Sequence, residues 1–184
     1  MKQELARRAR EGDHDAFSAL VRETLGRLYT TARLILRDPD RAEDAVQDAL
    51  IEAWRDIRGL RDLDRLDAWL HRLLVRSCYR AAKRERRRNI TEIPLGPFHD
   101  GIRPDSVLPI ADRDEIERAF QRLTQDQRTV LTLVYFADLS LADAAVALGI
   151  PIGTTKSRLH HALIALRAAM AAAERVPELK GGLA

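Results

Sequence analysis

Residues 76–88 read RSCYRAAKRERRR, a stretch of thirteen residues that holds seven cations and one acid. Because each residue of a helix advances about 100°, a helical reading places the cations at positions 76, 80, 83, 84 and 87 on one face, with Arg72 one turn earlier. The opposite face is apolar or small, with Leu70, Leu74, Ser77, Cys78, Ala81 and Ala82. The stretch therefore predicts a helix with one face to pack and one basic face, which either is solvated or meets a polyanion.

The rest of the chain repeats the helical period. Apolar residues make up 46% of the 184 residues and aromatic residues only 5%, so aliphatic side chains must build the core. The sequence predicts an all-α protein of two small helical domains joined by a flexible linker. The predicted bounds are 1–88 for the first domain, 89–111 for the linker, 112–175 for the second domain and 176–184 for a tail. Four of the seven prolines lie in the linker range.

Local signals predict where helices begin and end. In the first domain, Asp13 is expected to cap the second helix and Pro39 to lie in the first turn of the third. In the second, Thr124 and Gln127 fit a capping box and Ser140 caps a short helix. The turn Gly149-Ile150-Pro151 then leads into a longer helix with polar residues at its start. A short helix, a glycine turn and a second helix predict a helix-turn-helix, although many packed helical hairpins share this pattern.

Charge and composition exclude several classes of protein. Residues 1–88 contain 21 Lys and Arg against 16 Asp and Glu, whereas the remainder contains 10 against 12. The single cysteine, Cys78, leaves no internal disulfide and no cysteine zinc cluster. We expect no metal and no cofactor, since adjacent residues His160 and His161 diverge on a helix. Phosphate-binding, dinucleotide and nucleophile motifs are missing, so no enzyme is expected. No segment suits a signal peptide or a membrane span, and a cytoplasmic protein without membrane insertion is expected.

Two blocks resemble one family. The segments AEDAVQDALIEAW (42–54) and DAWLHRLLVRSCYRAAKR (67–84) resemble region two of bacterial sigma factors, and LSLADAAVALGIPIGTTKSRLHHALIALR (139–167) resembles region four. The length and the direct linker are similar to those of the extracytoplasmic-function (group four) RNA polymerase sigma factors of the sigma-70 family. The resemblance covers roughly residues 13–170.

The resemblance implies an alternative sigma factor that acts in transcription initiation, often in a stress response. Such a protein binds core RNA polymerase, directs it to specific promoters and helps melt the minus-ten region. The implied partners are core RNA polymerase, promoter DNA and an anti-sigma factor, with a monomer when the chain is free of partners. The linker would let the two domains close on each other or on an anti-sigma helix.

The resemblance also implies four sets of site residues. The minus-ten and melting set is Trp69, Arg72, Arg76, Tyr79, Arg80, Lys83, Arg84 and Arg87. The minus-ten specificity loop is Leu60, Arg61, Asp62, Leu63, Asp64 and Arg65. The minus-thirty-five set is Thr154, Thr155, Lys156, Ser157, Arg158 and His161. The polymerase-binding set is Asp44, Gln47, Asp48 and Glu52. Cations beside aromatic rings suit a single strand, although Trp69 is also a candidate for core filling, and a solvated face is an open reading of the acidic set.

Two departures from the family pattern concern the second domain. The family commonly reads T-V-K-S-R-L-x-R-A where this chain has TTKSRLHHA, so Thr155 replaces an apolar residue and His161 an arginine. A neutral histidine does not neutralise a phosphate as arginine does. Two other functions use the same elements: a sigma mimic that binds an anti-sigma factor, and a conventional helix-turn-helix operator-binding regulator. The mimic has no need of the basic face, and the regulator needs a dimer interface.

Overall fold

The computed structural model describes the backbone of residues 1–89 and 110–174, and the side chains of residues 1–88 and 116–172. These ranges contain helices and turns and no strand. The first domain consists of α1 (Lys2–Arg10), α2 (His14–Leu36), α3 (Pro39–Asp56) and α4 (Leu66–Asn89). The second consists of α5 (Ile110–Gln121), α6 (Gln125–Leu131), a π-helical turn (Thr132–Phe136), α7 (Leu141–Leu148) and α8 (Ile152–Glu174). The predicted all-α fold class is confirmed.

Helix ends follow the predicted capping signals. The Asp13 carboxylate accepts a hydrogen bond from the backbone N–H of Ala16 at 3.0 Å. Thr124 and Gln127 form the reciprocal capping box at the start of α6. Ser140 caps α7, whose other end is closed by Gly149 in the left-handed region at φ 67°, a conformation that glycine adopts at little cost. These local predictions are confirmed.

The core of the first domain lies between α4 and its neighbours α2 and α3. The predicted packing face of α4 is buried, with Leu74, Ser77 and Cys78 fully enclosed. Burial raises the pKa of the Cys78 thiol to about 12, so this cysteine is an inert core residue, as predicted. Leu20 and Ile35 of α2 complete the same core.

The second domain has a small core of its own and also packs on the first domain. Its own core contains Leu123, Val130, Leu131 and Ala162. The π-helical turn and α7 instead join the core of the first domain, where α7 lies against α4 and Leu133 is fully buried. Because burial of a leucine side chain stabilises by about 1.5–3 kcal/mol, the burial of Leu133 stabilises the contact between the two domains. The predicted closure of one domain on the other is therefore present in the structure.

The helices beside the linker are longer than predicted. The basic helix, expected over 67–86, runs from Leu66 to Asn89, and α5 begins at Ile110 instead of near residue 112. The basic residues 86–88 continue the helix because no proline or glycine occurs between Gly59 and Pro94. The remainder of the predicted linker and the predicted tail lie outside the described residues.

Candidate nucleic-acid and polymerase interface

The exposed face of α4 carries the predicted cations. All six are exposed to solvent, and we call them the basic stripe: Arg72, Arg76, Arg80, Lys83, Arg84 and Arg87. The one acid in this part of the helix, Glu85, turns away and pairs with Arg41 of α3 at 3.0 Å. The helical period thus places a continuous positive surface along about four turns of α4.

The basic stripe forms ion pairs with α3 that the sequence did not predict. Glu52 accepts from two arginines one turn apart, Arg76 Nη1 and Arg80 Nη2, each at 3.0 Å. Arg80 also donates to Ser77 Oγ at 2.8 Å, and Arg84 Nη2 contacts Asp48 Oδ2 at 3.2 Å. Two residues predicted to meet the polymerase, Glu52 and Asp48, therefore pair with three residues predicted to meet DNA. A ligand of either class must compete with these pairs.

The outer face of α3 retains a surface free of these pairs. Asp44 and Gln47 are exposed. Between them and the carboxyl end of the helix lies Ile51, which is 50% exposed and one turn from both Gln47 and Asp48. The predicted set contains only polar residues and so leaves out Ile51, although its spacing of i+4 from Gln47 and i+3 from Asp48 places it on the same face of α3.

The loop between α3 and α4 is held by its own turns and by α1. Asp62 accepts from the backbone N–H of Asp64 at 3.0 Å and starts a 3₁₀ turn, Leu63–Arg65. Gln3 donates to the Asp64 carboxylate at 2.6 Å, and Arg10 donates to the carbonyl of Leu60 at 3.1 Å.

Of the six predicted loop residues, Leu60 differs from the prediction. Its side chain is 7% exposed and packs in the core, and Leu63 is half-buried against the same core. These apolar side chains anchor the short loop to the core, so Leu60 is inaccessible to a ligand and Leu63 is only partly accessible. The exposed members are Arg61, Asp62, Asp64 and Arg65.

The two aromatic residues of the predicted melting set are half-buried. Trp69 packs against the first-domain core while part of its side chain stays exposed. Tyr79 donates its hydroxyl to Asp126 Oδ1 at 2.6 Å, across the domain contact. Burial, reinforced by the hydrogen bond to Asp126, raises the pKa of Tyr79 to about 12, so the phenol is neutral at physiological pH and acts as a donor.

The helix-turn-helix presents most of its predicted residues at the start of α8. Thr154, Lys156, Ser157 and His161 are exposed. Arg158 is half-buried, and its Nη1 lies 3.7 Å from Asp126 Oδ2. The neighbouring rings of His160 and His161 are 5.8 Å apart, and no metal-binding group of side chains occurs among the described residues.

Thr155 differs from the prediction. It is fully buried, and its hydroxyl donates to the carbonyl of Pro151 at 3.2 Å. The position faces the interior of the helix-turn-helix, which explains why an apolar residue is common there in the family pattern. In this arrangement Thr155 is inaccessible to DNA, and its hydroxyl is satisfied within the helix.

Comparisons with known proteins agree with this geometry. A family profile described as Sigma-70 region 2 matches residues 20–88, and one described as Sigma-70, region 4 matches residues 113–166. The chain is 35% identical over 154 residues to the ECF RNA polymerase sigma factor SigM of Mycobacterium tuberculosis, covering 80% of this chain and 73% of that protein. It is 32% identical over 151 residues to the RNA polymerase sigma-E factor of Streptomyces avermitilis, covering 82% and 83%.

A solved structure has a similar fold over most of the chain. The sigma factor RpoE of Bartonella quintana, crystallised in complex with the anti-sigma factor NepR, superposes with a TM-score of 0.72 at 27% identity, covering 84% of this chain and 96% of that one. Two region matches in the expected order, with relatives above 30% identity, define the class. The chain belongs to the extracytoplasmic-function sigma factors of the sigma-70 family, the alternative sigma factors that direct RNA polymerase to promoters. The expected family and function are confirmed.

The described residues include no helix that is long and apolar enough to cross a membrane.

Proposed function

We propose that three surfaces of this sigma factor carry out different steps of promoter recognition and opening. The outer face of α3 docks on core RNA polymerase, the basic stripe with Trp69 and Tyr79 holds the non-template strand, and the start of α8 reads the minus-thirty-five element. The observation that carries this proposal is the basic stripe, six exposed cations on a helix beside two aromatic rings. Cations that follow a backbone and rings that stack on bases are the combination that single-strand binding requires.

The polymerase-docking surface comprises Asp44, Gln47, Asp48 and Glu52, with Ile51 added. An exposed apolar side chain surrounded by polar ones has the make-up of a protein interface, where an apolar centre is enclosed by a polar rim. Asp44 and Gln47 are exposed and free to contact a partner, whereas Glu52 and Asp48 must exchange the arginines of α4 for groups of the polymerase. We therefore assign the larger part of the docking energy to Ile51, Gln47 and Asp44.

The specificity loop is proposed to capture a flipped base with its exposed residues, Arg61, Asp62, Asp64 and Arg65. Its 3₁₀ turn, Leu63–Arg65, and the contacts from α1 hold the backbone in one geometry, which limits the entropy lost on capture. Binding of the flipped base in its pocket must offset the free energy of unstacking, which is a few kcal/mol. Leu60 and Leu63 serve this function indirectly, since they anchor the loop to the core.

At the minus-thirty-five element, the exposed residues Thr154, Lys156, Ser157 and His161 are proposed to face the major groove, with Arg158 joining them once it leaves Asp126. Lys156 and Arg158 suit phosphates, and the hydroxyl and imidazole groups suit base edges.

The partners follow from the class. Core RNA polymerase and promoter DNA are proposed as partners of these surfaces, and an anti-sigma factor as a third, because the RpoE relative is seen with one. We propose a non-enzymatic, cytoplasmic protein that is a monomer when free. The retained basic stripe favours a working sigma factor over a sigma mimic, which has no use for it.

The docking assignment is tested by the affinity for purified core polymerase. Ile51→Asp should weaken core binding at least about tenfold, the loss expected for an apolar group at an interface centre. The matched control is Leu25→Asp, which places the same acid on another exposed apolar residue, 43% exposed on α2. Equal affinities of the two variants, with both folded by circular dichroism, would remove α3 from the docking site.

A further inference from the structure

Asp126 contacts one residue from each of the two proposed DNA-binding sets. Its Oδ1 accepts the hydroxyl of Tyr79 on α4 at 2.6 Å, and its Oδ2 lies 3.7 Å from Nη1 of Arg158 on α8. Asp126 itself stands in the first turn of α6. A carboxylate and a phosphate offer the same anionic oxygens to a hydroxyl and a guanidinium. Asp126 thus occupies positions on both side chains that DNA would otherwise take.

The contact between the two domains around Asp126 contains hydrogen bonds as well as apolar packing. Three arginines each donate across it to a carbonyl at the end of a helical segment. Arg27 donates to Ala137 at 2.8 Å, Arg37 to Gln121 at 3.1 Å, and Arg128 to Ile35 at 3.1 Å. Carbonyls at helix ends lack an intrahelical partner and carry the negative end of the helix dipole.

Arg27 and Arg37 belong to the first domain and Arg128 to the second, so each domain donates hydrogen bonds to helix ends of the other. Burial, with the nearby charge of Arg37, lowers the pKa of Arg128 to about 10, so Arg128 stays protonated near neutral pH. A contact with reciprocal caps and a shared apolar core fixes one orientation of the domains, and that orientation is the one that brings Asp126 to Tyr79.

We propose that Asp126 is an intramolecular lock, which holds the second domain over Tyr79 and keeps the Tyr79 ring from DNA until the domains separate, while its contact with Arg158, within the second domain, engages that arginine in either arrangement. This inference rests on the proposed function, because it takes Tyr79 and Arg158 as DNA contacts. In the closed chain the Tyr79 ring is half-buried and its hydroxyl is engaged, so a base cannot stack on it fully. The apparent DNA affinity of the free chain is then lowered by the fraction of molecules that are open.

The test uses the full chain with a dye on each domain and a single-stranded oligothymidine as the probe. Cysteines placed at the exposed positions Glu23 and Arg167 accept the dyes, since native Cys78 is fully buried. Asp126→Asn removes the charge but leaves an amide oxygen that still accepts from Tyr79, so it should lower the energy transfer between the dyes and raise the oligothymidine affinity about three- to tenfold, the difference between a charge-assisted and a neutral hydrogen bond. The matched control is Asp138→Asn, which removes one acid from an exposed position of the same domain at φ 54°, a conformation that asparagine tolerates.

A second pair of variants separates the lock from a general change in charge. Tyr79→Phe breaks the hydrogen bond and keeps the ring, so it should also lower the energy transfer and raise the affinity. Tyr79→Ala should lower the transfer as well, but without a gain in affinity, because the stacking ring is removed. The lock is overturned if Asp126→Asn matches Asp138→Asn in both transfer and affinity. The proposed function fails separately, if the wild-type chain with core polymerase gives no promoter-specific transcript.

Discussion

Removal of two cations from the middle of the basic stripe should impair promoter melting while the fold and polymerase binding persist. We choose Arg80→Ala with Lys83→Ala. Arg80 is held by Glu52 and Ser77, whereas Lys83 forms no ion pair with another described residue. Removal of the exposed Arg80 pair costs about 0.2–1 kcal/mol of stability. Alanine, the best helix former, recovers a few tenths of that, so the free energy of unfolding should change by about 1 kcal/mol or less.

The effect on DNA should be larger and should depend on salt. For a single strand, each phosphate that a cation no longer neutralises flattens the slope of log affinity against log salt by about 0.7. The double variant should therefore flatten it by about 1.4 if both side chains bind phosphates. The assay is permanganate footprinting of the melted region with core polymerase across a salt series. The control is Arg22→Ala with Arg167→Ala, which removes two exposed cations outside the stripe. An unchanged slope and unchanged melting would mean that the stripe is only a solvated face.

Three further predictions concern single positions. Burial, aided by the charges of Arg27 and Lys2, lowers the pKa of His71 below its ordinary 6.5. The neutral imidazole is therefore favoured in the folded chain. Its contribution to stability is full above pH 6.5 and is lost as the pH falls through the lowered pKa. His71→Leu should flatten this pH dependence of the free energy of unfolding, measured by denaturant titration. The same pH dependence in wild type and variant would contradict the burial argument. Thr155→Val should leave affinity for duplex minus-thirty-five DNA within about twofold, whereas Lys156→Ala should flatten its salt slope by about 0.9; binding titrations that reverse this order would restore Thr155 to the interface. Cys78 should resist thiol reagents in the folded chain and react after denaturation, and rapid native labelling would place it at the surface.

The features that follow from local sequence were predictable. The caps at Asp13, Thr124 and Ser140 depend on hydrogen bonds between residues three apart, and the sequence contains both partners. The orientation of the basic stripe depends only on the helical period and on an apolar opposite face. The family resemblance added the assignment of the two segments to sigma regions two and four, which the family profiles confirm.

The features that depend on how helices meet were not predictable in the same way. The pairing of Glu52 with Arg76 and Arg80 arises because α3 and α4 are neighbours at one register, which a pattern within either helix does not contain. Thr155 is small and polar, so its type suggested exposure, whereas the packing of the helix-turn-helix buries it completely. Leu60 was read as part of a loop, but the short connection places it in the core.

The closed arrangement of the two domains needed the structure most. Closure was expected from linker length, yet the arginines that cap helix ends across the contact carry no sequence signature, since any surface arginine reaches a carbonyl if the helices present one. The same holds for Asp126, which the sequence marks only as an acid in the first turn of a helix.

This chain is a sigma factor that directs core RNA polymerase to promoters, and we propose that it does so through two separate DNA-binding surfaces. The most direct measurement is run-off transcription with purified core on a randomised promoter library, with the transcript ends sequenced. We expect discrete start sites downstream of one shared sequence with two elements, lost without the protein and lower in transcript yield with Lys156→Ala, since that variant removes a phosphate contact. Start sites that are the same with and without the protein, or tight binding of the free chain as a dimer to a palindromic operator, would contradict it.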